Sequence, residues 1–159
     1  MFIKRSRITL VIILTSLIIG IAYTVSGFIS LYNWLIVVFA LKGTIESMLE
    51  EYIPGDLGTS LILSSIGLTL LAAVYYTLKR SITKSFSCLI VGSTLAIAAM
   101  FIQLLTVIAG LVDALIAGDV VNVKSIILGI LRIDGFLGYI TIPLFIVSLW
   151  LYKKGSRAK

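Results

Sequence analysis

The sequence predicts an all-α integral membrane protein. It reads as a four-transmembrane-helix bundle, N-in and C-in, made of two helical hairpins with a short amphipathic helix in each of the two outer loops. Two observations carry that prediction. Apolar residues make up 60% of the 159 and charged residues only 13%, with a mean hydropathy of +1.17, far outside the range of soluble domains. The charges are also sorted. All seven acids (Glu46, Glu50, Glu51, Asp56, Asp113, Asp119 and Asp134) fall in two segments. Ten of the thirteen bases fall in the other three: Lys4, Arg5, Arg7, Lys79, Arg80, Lys84, Lys153, Lys154, Arg157 and Lys159. Lys and Arg beside a span are retained on the cytoplasmic side during insertion, so the sorting sets both span count and orientation. The expected location is the cell membrane, multi-pass, with both termini cytoplasmic.

A single transmembrane domain of residues 1–159 follows, with spans at about 8–30, 57–78, 86–112 and 135–152. The outer connections are then 31–56 and 113–134, and the cytoplasmic loop is 79–85. The first apolar run, from Ile8 to about Leu41, passes Gly27 with no small-residue cleavage site, which predicts an uncleaved anchor rather than a removed signal. At about 34 residues it would make a helix of about 50 Å against a hydrocarbon core of about 30 Å. It either projects beyond the outer surface or breaks between Gly27 and Asn33, with Tyr32 and Trp34 at headgroup level. Beyond it, Ile45, Met48, Leu49 and Tyr52 recur at helical spacing opposite Glu46, Glu50 and Glu51, so Thr44–Ile53 predicts an amphipathic helix that Pro54-Gly55 ends.

The second span carries Ser60, Ser64, Ser65 and Gly67 in its outer half, and Lys79, Arg80 and Lys84 mark the cytoplasmic return. The third run, from Phe86 to about Gly118, is again too long for one crossing and lifts Asp113 to the outer headgroups or beyond. Val120–Asp134 then predicts the second amphipathic helix, with Val123, Ile126, Ile127, Ile130 and Leu131 on one face. In the fourth span Pro143 removes one backbone donor and can kink the helix.

Chemistry is sparse. Histidine is absent and Cys88 is the one cysteine, which removes disulfides, thiolate metal clusters and the usual haem and copper ligands. No cofactor, no metal site, no catalytic residue and no nucleic-acid partner are expected, and the chain is expected not to be an enzyme. Within the hydrocarbon the conspicuous polar side chain is Gln103, a candidate interhelical contact. No ionisable group falls mid-span, which argues against proton relays and voltage sensing. Small residues at four-residue spacing, including Gly20, Ser64, Gly92 and Ala96, are candidate helix-packing positions. Glu46, Glu50, Asp56 and Asp113 form a candidate outer acidic cap; carboxylates this close could hold a cation or do acid–base work, but a solvated face explains them equally.

The expected function is a non-catalytic accessory subunit of a larger membrane complex, respiratory or otherwise energy-converting. Its partners are the bilayer and other integral membrane subunits. In size and plan the chain resembles small subunits of archaeal or bacterial respiratory complexes, with no shared motif. The alternatives are a small homo-oligomeric channel or transporter with a Ser/Thr/Gln-lined path, and a membrane enzyme using the outer carboxylates. Scarce Asn, Gln, Cys and His beside abundant Ile, Leu and Val give the composition a thermophile-like cast.

The orientation is testable by labelling. In a Cys88→Ser background, Ser47→Cys is expected to react with a membrane-impermeant maleimide on intact cells, and Ser156→Cys only after permeabilisation. The opposite order would reverse the topology.

Overall fold

A computed structural model describes residues 7–39, 49, 52–118 and 123–156. Among them the chain is all-helical: α1 (Arg7–Val38), α2 (Leu57–Leu78), α3 (Ile82–Ala117), α4 (Val123–Ile130) and α5 (Ile133–Ser156). Four of these, all but α4, are long and apolar enough to cross a membrane. Glu46, Glu50, Glu51 and Asp119 lie outside the described residues, as does most of the amphipathic helix expected over 44–53.

The helix bounds differ from the expected ones in three places. Helix α1 does not break between Gly27 and Asn33 but runs unbroken for 32 residues. The reason lies in its small residues, which face a neighbouring helix rather than a turn. Helix α3 begins at Ile82, so three residues, Lys79, Arg80 and Ser81, connect it to α2. This short return is a helix-stop motif: the amides of Arg80 and Ser81 donate to Thr77 O and Tyr76 O, and Arg80 takes the left-handed conformation at φ 59°. Between α4 and α5 only Leu131 and Arg132 interrupt the helical path, so the amphipathic segment expected to reach Asp134 is the eight-residue α4 alone. Helix α5 continues through Pro143.

Packing runs α1 on α2, α2 on α3 and α3 on α5, with a lighter contact between α1 and α5. The core draws Ile19 and Tyr23 from α1, Leu63, Ile66 and Leu70 from α2, Ala96 from α3 and Leu144 from α5. Cys88 packs half-buried at its edge, as a small apolar residue does.

In lipid, helices gain little by hiding apolar surface from one another, so close backbone approach must hold them together. The α1–α2 seam shows it. A Cβ placed on Gly67 would lie 2.6 Å from Thr24 N and 2.8 Å from Gly20 O, and one on Gly27 would lie 2.8 Å from Ser64 N. Hydroxyls at the seam are turned into their own helices, Thr24 onto Gly20 O at 2.8 Å and Ser60 onto Leu57 O at 2.8 Å, which leaves the contact dry. Ser16 crosses over to Leu70 O at 3.2 Å. The other candidate packing residues also find partners within the chain. Gly92 faces Leu70 and Thr69 of α2, while Ala96 O lies 3.2 Å from where a Gly138 Cβ would stand.

Gly67→Ala is expected to splay this seam and cost about 1–3 kcal/mol. Gly110→Ala, where an added Cβ meets nothing within 4 Å, should stabilise by up to about 1 kcal/mol. Thermal unfolding in detergent measures both, and equal effects would deny the seam its role.

Candidate functional site

The polar groups of this chain gather at one end of the bundle, where α2 begins and α4 meets α5. The segment Tyr52–Asp56 reaches α2 across the top of α1, and its backbone carbonyls need partners because water is scarce there. They find them in side chains. Asn33 Nδ2 donates to Ile53 O at 3.0 Å, and the Ser30 hydroxyl donates to Pro54 O at 2.7 Å and to Asp56 O at 3.2 Å. The Ile133 amide, at the start of α5, donates to Tyr52 O at 3.3 Å. Gly55 permits the contact, since a Cβ there would lie 2.8 Å from the Asn33 backbone carbon. Ile53 is thereby driven in and only 1% exposed. One short segment thus ties α1, α2 and α5 together.

Asp56 closes the segment and caps α2. Its Oδ2 accepts from Thr59 N at 2.7 Å and from Thr59 Oγ1 at 2.8 Å. The backbone amide of Thr59, then its hydroxyl, and less strongly Gly58 and the charge of Arg132 hold the Asp56 carboxyl below its ordinary value of 3.8 against a small opposing effect of burial.

Beside this cap a cleft of about 310 Å³ opens between α2 and α3. Asp56, Thr59, Gln103, Thr106 and Arg132 supply its polar wall, and Ile62, Leu63, Ala99 and Ile102 its apolar one. Gln103, 8% exposed, donates from Nε2 to Gly129 O at 3.1 Å. That carbonyl belongs to the last turn of α4, where the helix supplies no backbone donor of its own. Gly129 in turn sits close on Val107, where a Cβ would be 2.9 Å away. Gln103 therefore pins α4 to α3. Because it shares a cleft with the N-cap of α2, it stands near the end of the bundle, not midway along it.

The expected acidic cap is only partly visible. Asp56 lines the cleft and, among the described residues, no second carboxylate does; Asp113 is exposed on α3, outside it. Among the described residues no group of three metal-ligating side chains exists. Ser30, Asn33 and Arg132 carry the architecture of this end, yet in the sequence Asn33 reads as an interruption and Arg132 as one of three outer bases. The usable signal was a pair of polar residues, Ser30 and Asn33, three apart in the outer part of a mainly apolar helix.

The opposite end has simpler chemistry. Ser85 donates to Ala73 O at 2.8 Å and shares a 2.6 Å contact with Thr77, while Lys79 Nζ lies 4.6 Å over the Tyr75 ring.

No family model matches the chain, and neither curated proteins nor solved structures gave a match. The cleft and its surroundings must be understood from their own geometry.

Asp56→Ala is expected to cost about 1 kcal/mol and Asp56→Ser less, since Ser also caps. A carboxyl with a lowered folded pKa stabilises fully above its unfolded value and loses that contribution as pH falls through the folded one. The gap between wild type and Asp56→Ala should therefore be constant above about pH 5 and close below about pH 4. Unfolding midpoints across that range check it, and a pH-independent gap would remove the charge from the explanation.

Proposed function

We propose that this chain is a non-catalytic accessory subunit of a larger membrane complex, oriented with both termini cytoplasmic and the acidic end outside. The observation that carries this is the far end of α3. Helix α2, at 22 residues or about 33 Å, matches a hydrocarbon core, whereas α3 has 36 residues and a length of about 54 Å. Counted from the short return at Ile82, α3 reaches the level of Asp56 near Gln103. Roughly 14 residues, about 20 Å, then project further.

That projection is apolar on most sides. Leu105, Ile108, Val112, Leu115 and Ile116 are exposed, Ile116 by 81%, and the stretch carries one charge, Asp113. Ile127 and Ile130 of α4, and Leu131 just after it, are exposed as well. Contiguous apolar surface of this extent beyond a headgroup plane calls for a protein partner. An apolar helical partner that rises to the same height would cover it.

The channel alternative draws less support. Hydroxyls of Ser60, Thr69, Ser93 and Thr94 all donate to carbonyls of their own helices, and Gln103 donates to Gly129 O. Groups so engaged line a polar path poorly. The enzyme alternative requires a second carboxylate near Asp56, and among the described residues the cleft lining holds none.

Mild extraction of native membranes is expected to yield this chain in stoichiometric company. Ile108→Glu combined with Val112→Glu should reduce the co-purified partner about tenfold, roughly 1.4 kcal/mol, with helicity and melting unchanged. A stable, homogeneous species containing this chain alone would defeat the proposal.

A further inference from the structure

We propose that the cleft between α2 and α3 binds one zwitterionic aminophospholipid, of the phosphatidylethanolamine type, with its phosphate on Arg132 and its ammonium beside Asp56. The site uses only the base of the projecting end of α3, at Thr106, and does not rest on the subunit proposal. Three properties specify an amphiphile. Along α2 the lining passes from Asp56 and Thr59 at the helix start to Ile62 and Leu63 one turn deeper. Along α3, antiparallel to it, the lining passes from Thr106 and Gln103 to Ile102 and Ala99 in the same direction. The cleft is thus polar at the end of the bundle and apolar further in, as a lipid is from headgroup to chain.

Its mouth opens sideways. Ile62 and Ile102 flank it and are 47% and 61% exposed on the outer surface of two membrane-spanning helices. An occupant entering there arrives from the bilayer. About 310 Å³ accommodates a headgroup and the upper part of one chain, with the rest continuing along the groove into the surrounding lipid.

Charge selects the headgroup. Among the described residues the cleft holds one carboxylate and one guanidinium, near enough for Arg132 to act on Asp56. A guanidinium offers five N–H donors and can meet a phosphate while keeping other contacts. The Asp56 carboxylate retains acceptor capacity beyond its two bonds from Thr59. Arg132 can meet the phosphate of either kind of lipid, but a lipid with net negative charge brings no cation for Asp56, whereas a phosphate-plus-ammonium headgroup matches both ends of the pair. Gln103 is held by Gly129 and so keeps the wall polar without adding charge.

The test is a lipid titration followed by native mass spectrometry on the delipidated full chain, with phosphatidylethanolamine and phosphatidylglycerol of identical chains. One equivalent of phosphatidylethanolamine should bind about tenfold more tightly than phosphatidylglycerol. Arg132→Gln should weaken both by about tenfold, and Arg132→Lys should restore part of the loss. Asp56→Ser, which preserves the helix cap, should abolish or invert the headgroup preference. Equal binding of both lipids in the wild type would overturn the proposal. So would a preference unmoved by Asp56→Ser, or binding indifferent to Arg132→Gln. Equally tight binding of chain-free glycerophosphoethanolamine would overturn the lipid assignment. Circular dichroism of each variant separates loss of the site from loss of the fold.

Discussion

Everything at the polar end of this bundle depends on how closely α1 and α2 approach. Glycines at 20, 27 and 67 bring the two backbones into contact where any side chain would intrude. In a bilayer that proximity substitutes for the hydrophobic force that packs soluble helices. It also sets Ser30 and Asn33 within reach of the carbonyls that follow Tyr52, and these bonds fix the path into α2. Asp56 then stands where it can cap α2 and face Arg132. Widening the seam would loosen the clasp, move the cap and alter the cleft in one motion.

A second constraint is unequal length. A helix matched to the bilayer and one about 20 Å longer share a short return at the basic end, so all the excess emerges at the other. The excess is partly anchored by Gln103, which holds α4 through Gly129 O. Much of it stays uncovered, with Ile116 the most exposed large apolar residue of the described chain. The molecule therefore presents two distinct surfaces near one level: a small amphipathic cleft, and a tall apolar post. The occupants proposed for them differ accordingly, an amphiphile for the first and a protein helix for the second.

Many hydroxyls elsewhere among the described residues are engaged within the helices. Hydroxyls along α1, α2 and α3 bond back to carbonyls three or four residues earlier, as expected for Ser and Thr in helices without water. At the basic end Thr77 does the same onto Ala73 O, and Ser85 reaches that carbonyl from the next helix.

Four apolar helices were legible in the sequence because span length and hydropathy are local properties that the bilayer enforces on each segment separately. Gly20, Ser64, Gly92 and Ala96 stood out by their four-residue spacing, a pattern that is local in the same way, and Lys79 and Arg80 follow the end of α2. The sequence by itself thus determined the helices and the outline of their ends. It did not show which helices touch, nor that α1 continues through Asn33, because both follow from backbone partners far away in the chain. Gln103 was visible as a polar side chain, but its depth depends on the register of α3 against α2. Arg132 joined Asp56 in one cleft only once α5 had docked on Tyr52 O and α4 on Gln103. Such pairings are decided by tertiary structure, since a buried carbonyl accepts whichever donor the packing brings within about 3 Å.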